Sequence, residues 1–207
     1  MPIPQWLTWV RRLQSIAQAG FTYNHDVYDQ ERYQQIEAIA SEIAAEHTSV
    51  DATKIASMYR HEKGYATPKI DVRGVVFNTD SEILLVKEVR TQKWTLPGGW
   101  ADVWDRPSQA VTREIEEESG YQTEASKVLA IYDREHQGHP AHEFAIWKLY
   151  FLCTLIGGNA QISHETSDVG FFAENALPEL DEGRTQKHNV LRFFEHHRDA
   201  TLTTDFD

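Results

Sequence analysis

The stretch Gly98–Tyr121, GGWADVWDRPSQAVTREIEEESGY, decides how the rest of the chain is read. It opens on a Gly-Gly turn, crosses a short loop and enters a helix. Pro107 suits the first helical turn, where its missing N–H costs nothing, and Gly120 suits the position just past the helix end. Successive helical residues are offset by about 100°, which places Glu114, Glu117 and Glu118 on one face and Arg113 one turn before Glu117. Like charges at these spacings repel by about 0.2–0.5 kcal/mol per pair, and the C-terminal half of a helix already carries negative dipole. A sequence that breaks a local rule needs a compensating gain. A hard divalent cation supplies one, because Mg2+ takes oxygen ligands and is held by a few carboxylates together with substrate phosphates. The competing reading is a solvated acidic face.

The spacing favours the cation. Gly99, five residues, Asp105, seven residues, then Arg113-Glu114-Ile115-Glu116-Glu117-Glu118-Ser119-Gly120-Tyr121 resembles the signature of the Nudix hydrolases. Two positions depart from that pattern: Asp105 stands where the family has Glu, and Tyr121 where it has an aliphatic residue. Neither touches the three-carboxylate face. The resemblance implies an α+β fold, a mixed sheet sandwiched between helices, with the signature forming a loop-helix-loop over the cleft. It also implies that the carbonyl oxygen of Gly98 joins Glu114, Glu117 and Glu118 around the metal. A further acid in a late loop, Glu165 or Asp168, would complete the metal site or act as base.

Composition narrows the partners. The chain has 207 residues, 41% of them apolar, enough for a sizeable core. A formal net charge of -12 argues against a protein that grips nucleic acid through its phosphates. No run approaches the roughly 18 apolar residues of a membrane span, and the N-terminus lacks the basic-then-apolar order of a signal peptide. The single Cys153 lies in an apolar run and reads as a buried small hydrophobe. These observations make a cytoplasmic setting the expectation, with neither membrane nor nucleic acid as partner.

Residues 1–66 read as a helical domain. Trp6, Val10, Leu13 and Ala17 recur at helical spacing. A second helix follows Asp29, with Tyr33, Ile36, Ile39, Ala40 and Ile43 on one side, and a third runs from Asp51 to Tyr59. Three short helices bury little by themselves, so they pack on a second copy, giving a homodimer, or else cover the remainder of the same chain. After a polar linker the second domain, 67–207, begins.

There the period changes to that of strands, at Ile70–Phe77, Ile83–Val89, Trp94–Leu96, Gln122–Tyr132, Phe144–Leu155 and Val169–Ala173. Arg73 is either an exposed edge charge or a cation facing substrate phosphate. Lys148, in phase with Ile146 and Tyr150, either snorkels at an edge or reaches a phosphate. Trp94, Trp100 and Trp104 crowd the Gly-Gly loop, and Trp100 is the candidate to stack on a nucleobase. His136, His139 and His142 suggest zinc, but with no Cys partner they read better as substrate-contacting, His142 first, or as surface residues. The segment Arg184–Arg198 reads as a closing helix, and the final residues, ATLTTDFD, as frayed.

The chemistry that follows is Mg2+-dependent hydrolysis of a pyrophosphate bond in a nucleoside diphosphate joined to another group, with Mn2+ as the alternative ion. Glu117 or Glu114, and after them Glu165, are the candidate bases, and Arg113 orients a neighbouring carboxylate. The helical domain ahead of TPKIDVRGVVF and LPGGWADV resembles the Nudix subgroup that includes bacterial CDP-choline pyrophosphatases, which implies CDP-choline or ADP-ribose as substrate. Clean-up of nucleoside triphosphates and a non-catalytic ligand sensor are the alternatives.

Overall fold

A computed structural model describes residues 4–142 and 144–207. The chain divides into two compact units, Met1–Pro68 with Ala141–Ala145, and Lys69–Pro140 with Ile146–Asp207. Among the described residues no helix is long and apolar enough to cross a membrane.

The first unit holds α1 (Gln5–Tyr23), α2 (Val27–Glu46) and α3 (Ala52–His61). Asp26 and Asp51 cap α2 and α3 by accepting the first free N–H groups, which is why each helix begins there. The second helix therefore starts ahead of Asp29. Gly20 lets α1 and α2 touch, since a Cβ there would lie 2.4 Å from the ring of Tyr33. The buried line of α2 is Glu37, Ala40, Ser41 and Ala44. The expected apolar side of α2 is thus only partly inward. Ala40 is buried, but Ile39 is 48% exposed, as is its neighbour in kind, Trp9 of α1, at 51%. Glu37 tolerates burial because Arg60 Nε reaches it at 2.8 Å. Arg11 donates to the carbonyls of His142 and Phe144, which fastens residues 141–145 to this unit.

The second unit contains β1 (Lys69–Val76), β2 (Ile83–Glu88), β3 (Trp94–Thr95), α4 (Pro107–Ser119), β4 (Tyr121–Asp133), β5 (Ile146–Gly158), β6 (Thr166–Phe172), α5 (Lys187–Arg198) and β7 (Asp205–Phe206). One sheet has the order β1-β5-β4-β7 and the other β3-β2-β6. Strands β1 and β5 run parallel while β4 and β5 run antiparallel, so the larger sheet is mixed. A core of Val72, Val76, Leu84, Val111, Ile115 and Phe151 packs α4, and a second of Val75, Ile83, Leu85, Leu129, Tyr150 and Phe193 packs α5. Cys153 is buried and burial pushes its thiol up to about 12, which fits a packing role.

The last residues are not frayed. Strand β7 pairs in parallel with β4, and Asp205 accepts from Arg192 Nε at 2.7 Å and meets His196 Nε2 at 2.9 Å. Two basic partners on α5 hold a segment whose composition alone is that of a loose end.

Candidate active site

The Gly-Gly turn lies along the free edge of β1. Val72 N–H donates to Gly99 O at 2.8 Å, Gly74 N–H to Pro97 O at 2.8 Å, and Ala101 N–H to Ile70 O at 3.0 Å. Gly98 adopts φ +139°, and a Cβ there would lie 2.1 Å from Val72 O, so only glycine brings the turn this close. Ahead of α4 the chain is braced by Gln109, whose side chain accepts from Arg106 N–H, and the helix closes at Gly120.

These two elements set the acids. Gly98 N–H donates to Glu118 Oε2 at 2.8 Å. A Cβ on Gly99 would meet Glu114 Oε2 at 2.8 Å, so Glu114 also leans over the turn. Burial pushes the Glu118 carboxyl up to about 7 despite the lowering influence of Arg73 and of the Gly98 amide, and burial likewise raises Glu114. Arg113 is the hub of the helix surface. It donates to Asp105 at 3.0 Å, Glu114 at 2.8 Å, Glu117 at 3.0 Å and Asp102 at 3.4 Å. Asp105, the departure from the family's glutamate, is therefore still within reach of the arginine.

On the far side of the acids lies β6. Thr166 Oγ1 donates to the carbonyl of Glu118 at 2.8 Å, and Val89 N–H donates to Glu165 O at 2.8 Å. The Glu165 carboxylate is exposed, with His164 Nε2 at 3.2 Å. Asp168 pairs in register with Lys87, and its Oδ1 accepts its own neighbour's N–H, from Val169.

The structure revises the two expected phosphate cations. Arg73 is neither an exposed nor an open-edge charge. It is buried, donating from Nε and Nη2 to both oxygens of Asp71 at 2.7 and 3.0 Å and from Nη1 to Leu96 O at 3.0 Å. Lys148 does not snorkel: it is 1% exposed and donates to Asp71 Oδ2 at 3.0 Å. Parallel pairing of Asp71 with Lys148 and Arg73 with Tyr150 puts all four side chains on one sheet face. Asp71 is held well below the usual carboxylate range, its burial being outweighed by Arg73 and Lys148.

The aromatic loop separates by function. Trp94 packs edge-on against Phe172 at 4.7 Å, whereas Trp100 and Trp104 are exposed. The three histidines have separate partners: His136 meets Asp133 at 3.1 Å, the His139 Nδ1–H donates to Glu182 O at 2.8 Å, and His142 Nδ1 accepts from Phe144 N–H at 3.1 Å. Burial pulls His139 down to about 3, leaving it neutral.

Two residues that the sequence reading passed over, Glu88 and Arg184, approach to 3.0 Å. Glu88 is buried at the end of β2, next to a register shift in the β2/β6 pairing, a device that re-aims side chains. An acid two residues past the apolar run Ile83–Val86, in phase with it on the strand, was the available signal.

The donor set suits a hard cation. It is all oxygen, and two of its carboxyls are raised by burial with too little positive charge nearby. Among the described residues no three acidic, histidine or cysteine side chains point to one ion-sized spot, because Arg113 holds Glu114 and Glu117 while the Gly98 amide holds Glu118.

Comparison with known proteins agrees with this geometry. The family profile for the NUDIX domain matches residues 67–194, and that for a UDP-X-like N-terminal oligomerisation domain matches residues 4–59. A Bacillus subtilis protein, YjhB, provisionally named an ADP-ribose pyrophosphatase, is 37% identical over 203 residues, 98% of this chain and 97% of its own. A Streptococcus suis crystal structure described as an ADP-ribose pyrophosphatase is 38% identical, covering 68% of this chain and 100% of its own, with TM-score 0.62. The crystal structure of a UDP-X diphosphatase covers 98% of both chains at 28% identity, with TM-score 0.63.

Proposed function

Because the chain belongs to the Nudix hydrolase family, we propose that it hydrolyses the pyrophosphate bond of a nucleoside diphosphate linked to a second group, of the ADP-ribose or CDP-choline type, in a reaction that needs Mg2+ or Mn2+. The products are a nucleoside monophosphate and the phosphorylated second group. One observation carries the reading: Glu118 and Glu114 lie partly or wholly buried against the Gly98-Gly99 turn, both raised by burial, a donor set that needs a cation to be comfortable.

In this reading Glu114, Glu117, Glu118 and the Gly98 carbonyl hold the ion. When bound, the ion neutralises the diphosphate and lowers the pKa of an attacking water. Glu117 or Glu114 accepts the water's proton, with Glu165 as the next acid in line. Arg113 positions both helix glutamates through charge-assisted hydrogen bonds. Trp100, exposed beside the turn, offers a face to the base. Arg73 acts on Glu118 and Glu114 from the interior, through its charge, while Asp71 holds it and Lys148 in place.

The helical unit serves as the dimer contact in this proposal. The matched description of an oligomerisation domain supports that role, as do Trp9, Ile16 and Ile39, which present apolar surface outward.

Release of nucleoside monophosphate from ADP-ribose, CDP-choline, UDP-linked sugars and nucleoside triphosphates, with and without Mg2+ or Mn2+, tests the proposal. Turnover of a nucleoside diphosphate conjugate only with metal is the expected result. Preference for triphosphates would move the protein to nucleotide clean-up, and metal-independent binding without turnover would make it a sensor.

A further inference from the structure

The cations near the acids are unequally committed. Arg73 and Lys148 are locked on Asp71 in the interior, and Arg113 is spread over four carboxylates. Arg184 is different. Its side chain is 39% exposed, and among the described residues its one ion contact is Nη1 to Glu88 Oε1 at 3.0 Å. That contact lacks hydrogen-bond geometry, and Glu88 Oε1 has no hydrogen-bond partner among the described residues although Glu88 is only 4% exposed.

Backbone contacts fix where this pair sits. Asp181 N–H donates to Trp94 O at 2.8 Å, Thr185 Oγ1 accepts from Leu96 N–H at 3.1 Å, and Thr185 Oγ1 lies 2.8 Å from Thr95 Oγ1. The loop carrying Arg184 is thereby bolted to the strand that runs into Gly98, whose amide holds Glu118. On the other side, Glu88 pairs in register with Thr166, which holds the Glu118 carbonyl. Glu88 and Glu118 lie near enough for the charge of one to raise the other, and Arg184 and Arg73 both draw on Glu88.

We propose that Arg184 is the guanidinium that grips the diphosphate of the substrate, and that Glu88 keeps it aimed at the acid face until the substrate displaces it. This rests on the pyrophosphatase reading above and adds to it the residue that recognises the anion. A diphosphate needs planar, multidentate cationic contacts in addition to metal, which a guanidinium with a poorly bonded partner can provide. Lys at this position would keep the charge but lose the fork.

The test is calorimetric titration of the full chain with inorganic pyrophosphate in the presence of Mg2+, alongside melting curves. R184Q is expected to bind about tenfold more weakly or worse, R184K several-fold more weakly, and E88Q as tightly as the wild type or more so. Binding by R184Q within about twofold of wild type overturns the inference. So does an E88Q loss equal to that of R184Q, since the pair would then be a structural brace. Should R184Q fail to fold, R184K decides, and an unchanged affinity there has the same consequence. Wild-type protein that binds no pyrophosphate at all overturns both this inference and the pyrophosphatase reading, whereas normal wild-type binding with an indifferent R184Q removes only the former.

Discussion

The amide of Gly98 donates to the buried carboxylate of Glu118 at 2.8 Å, joining the turn along β1 to the end of α4 through a group that burial raises to about 7. The unfolded carboxyl titrates near 4.5, so the folded state holds the proton more tightly. Between these two values the folded protein binds more protons than the unfolded chain, and stability falls as pH rises. In metal-free buffer the melting temperature should therefore decline from pH 5 to pH 7.5, and Glu118→Gln should flatten that decline. The full effect is at most about 3 kcal/mol. The same variant should lose at least a hundredfold in Mg2+-dependent turnover, of the size seen when a group acting in the transition state is removed, about 3 kcal/mol. An active variant with an unchanged pH profile of melting would remove Glu118 from the metal face.

Arg113 concentrates four carboxylates, Asp102, Asp105, Glu114 and Glu117, on one guanidinium. Arg113→Ala frees them to repel one another and to rotate. Turnover and Mn2+ affinity, followed by electron paramagnetic resonance, should each fall by about 10- to 100-fold, as for other residues that orient metal ligands. Arg113→Lys should recover little, because an ammonium cannot bridge several acids in a plane. If Mn2+ affinity rises on Arg113→Ala, the guanidinium competes with the ion and does not position its ligands.

Asp71 neutralises two buried cations, Arg73 and Lys148. Asp71→Ala leaves both without a carboxylate in the interior, and breaking a buried pair in this way costs about 3–5 kcal/mol. For a chain of this size that corresponds to a melting temperature lower by roughly 10 °C. Lys148→Met should be much milder, since Arg73 retains both oxygens of Asp71. Equal losses for Asp71→Ala and Lys148→Met in a thermal melt would show that the lysine, and not the bidentate arginine, is the main partner.

Helix α4 was legible because its signal is local: spacing within one helix determines which residues share a face. The mixed sheet, α4 and α5 followed from the same kind of periodicity and from the family signature. Long-range partners were not legible. Arg73 looked like a lone cation in IDVRGVVF because Lys148, which completes its trio with Asp71, is distant in sequence and meets it only through parallel pairing of β1 with β5. Glu88 was read as an ordinary strand end, since only the register shift opposite Thr166 and the loop carrying Arg184 give it a role. The C-terminal residues looked loose because Arg192 and His196, which hold Asp205, belong to another element. Of the expected side of α2 only Ile39 is exposed: Gly20 of α1 makes room for the ring of Tyr33, and the fully buried line runs through Glu37, Ala40, Ser41 and Ala44.

That outward face makes the last prediction. Trp9 and Ile16 are seven residues apart on α1, hence on one side of it, and both are about half exposed, as is Ile39 on α2. Apolar surface of this kind, on a helical unit whose polar Glu37 and Ser41 are buried, is what the proposed dimer would cover. In a symmetric dimer each substitution acts twice, so Trp9→Glu with Ile39→Glu should convert the protein to monomer at micromolar concentration, read by sedimentation velocity. The double variant should keep its far-ultraviolet circular dichroism, because neither side chain contributes to the buried core of its own chain. A wild type that sediments as monomer, or a double variant that still sediments as dimer, would place the contact elsewhere or remove it.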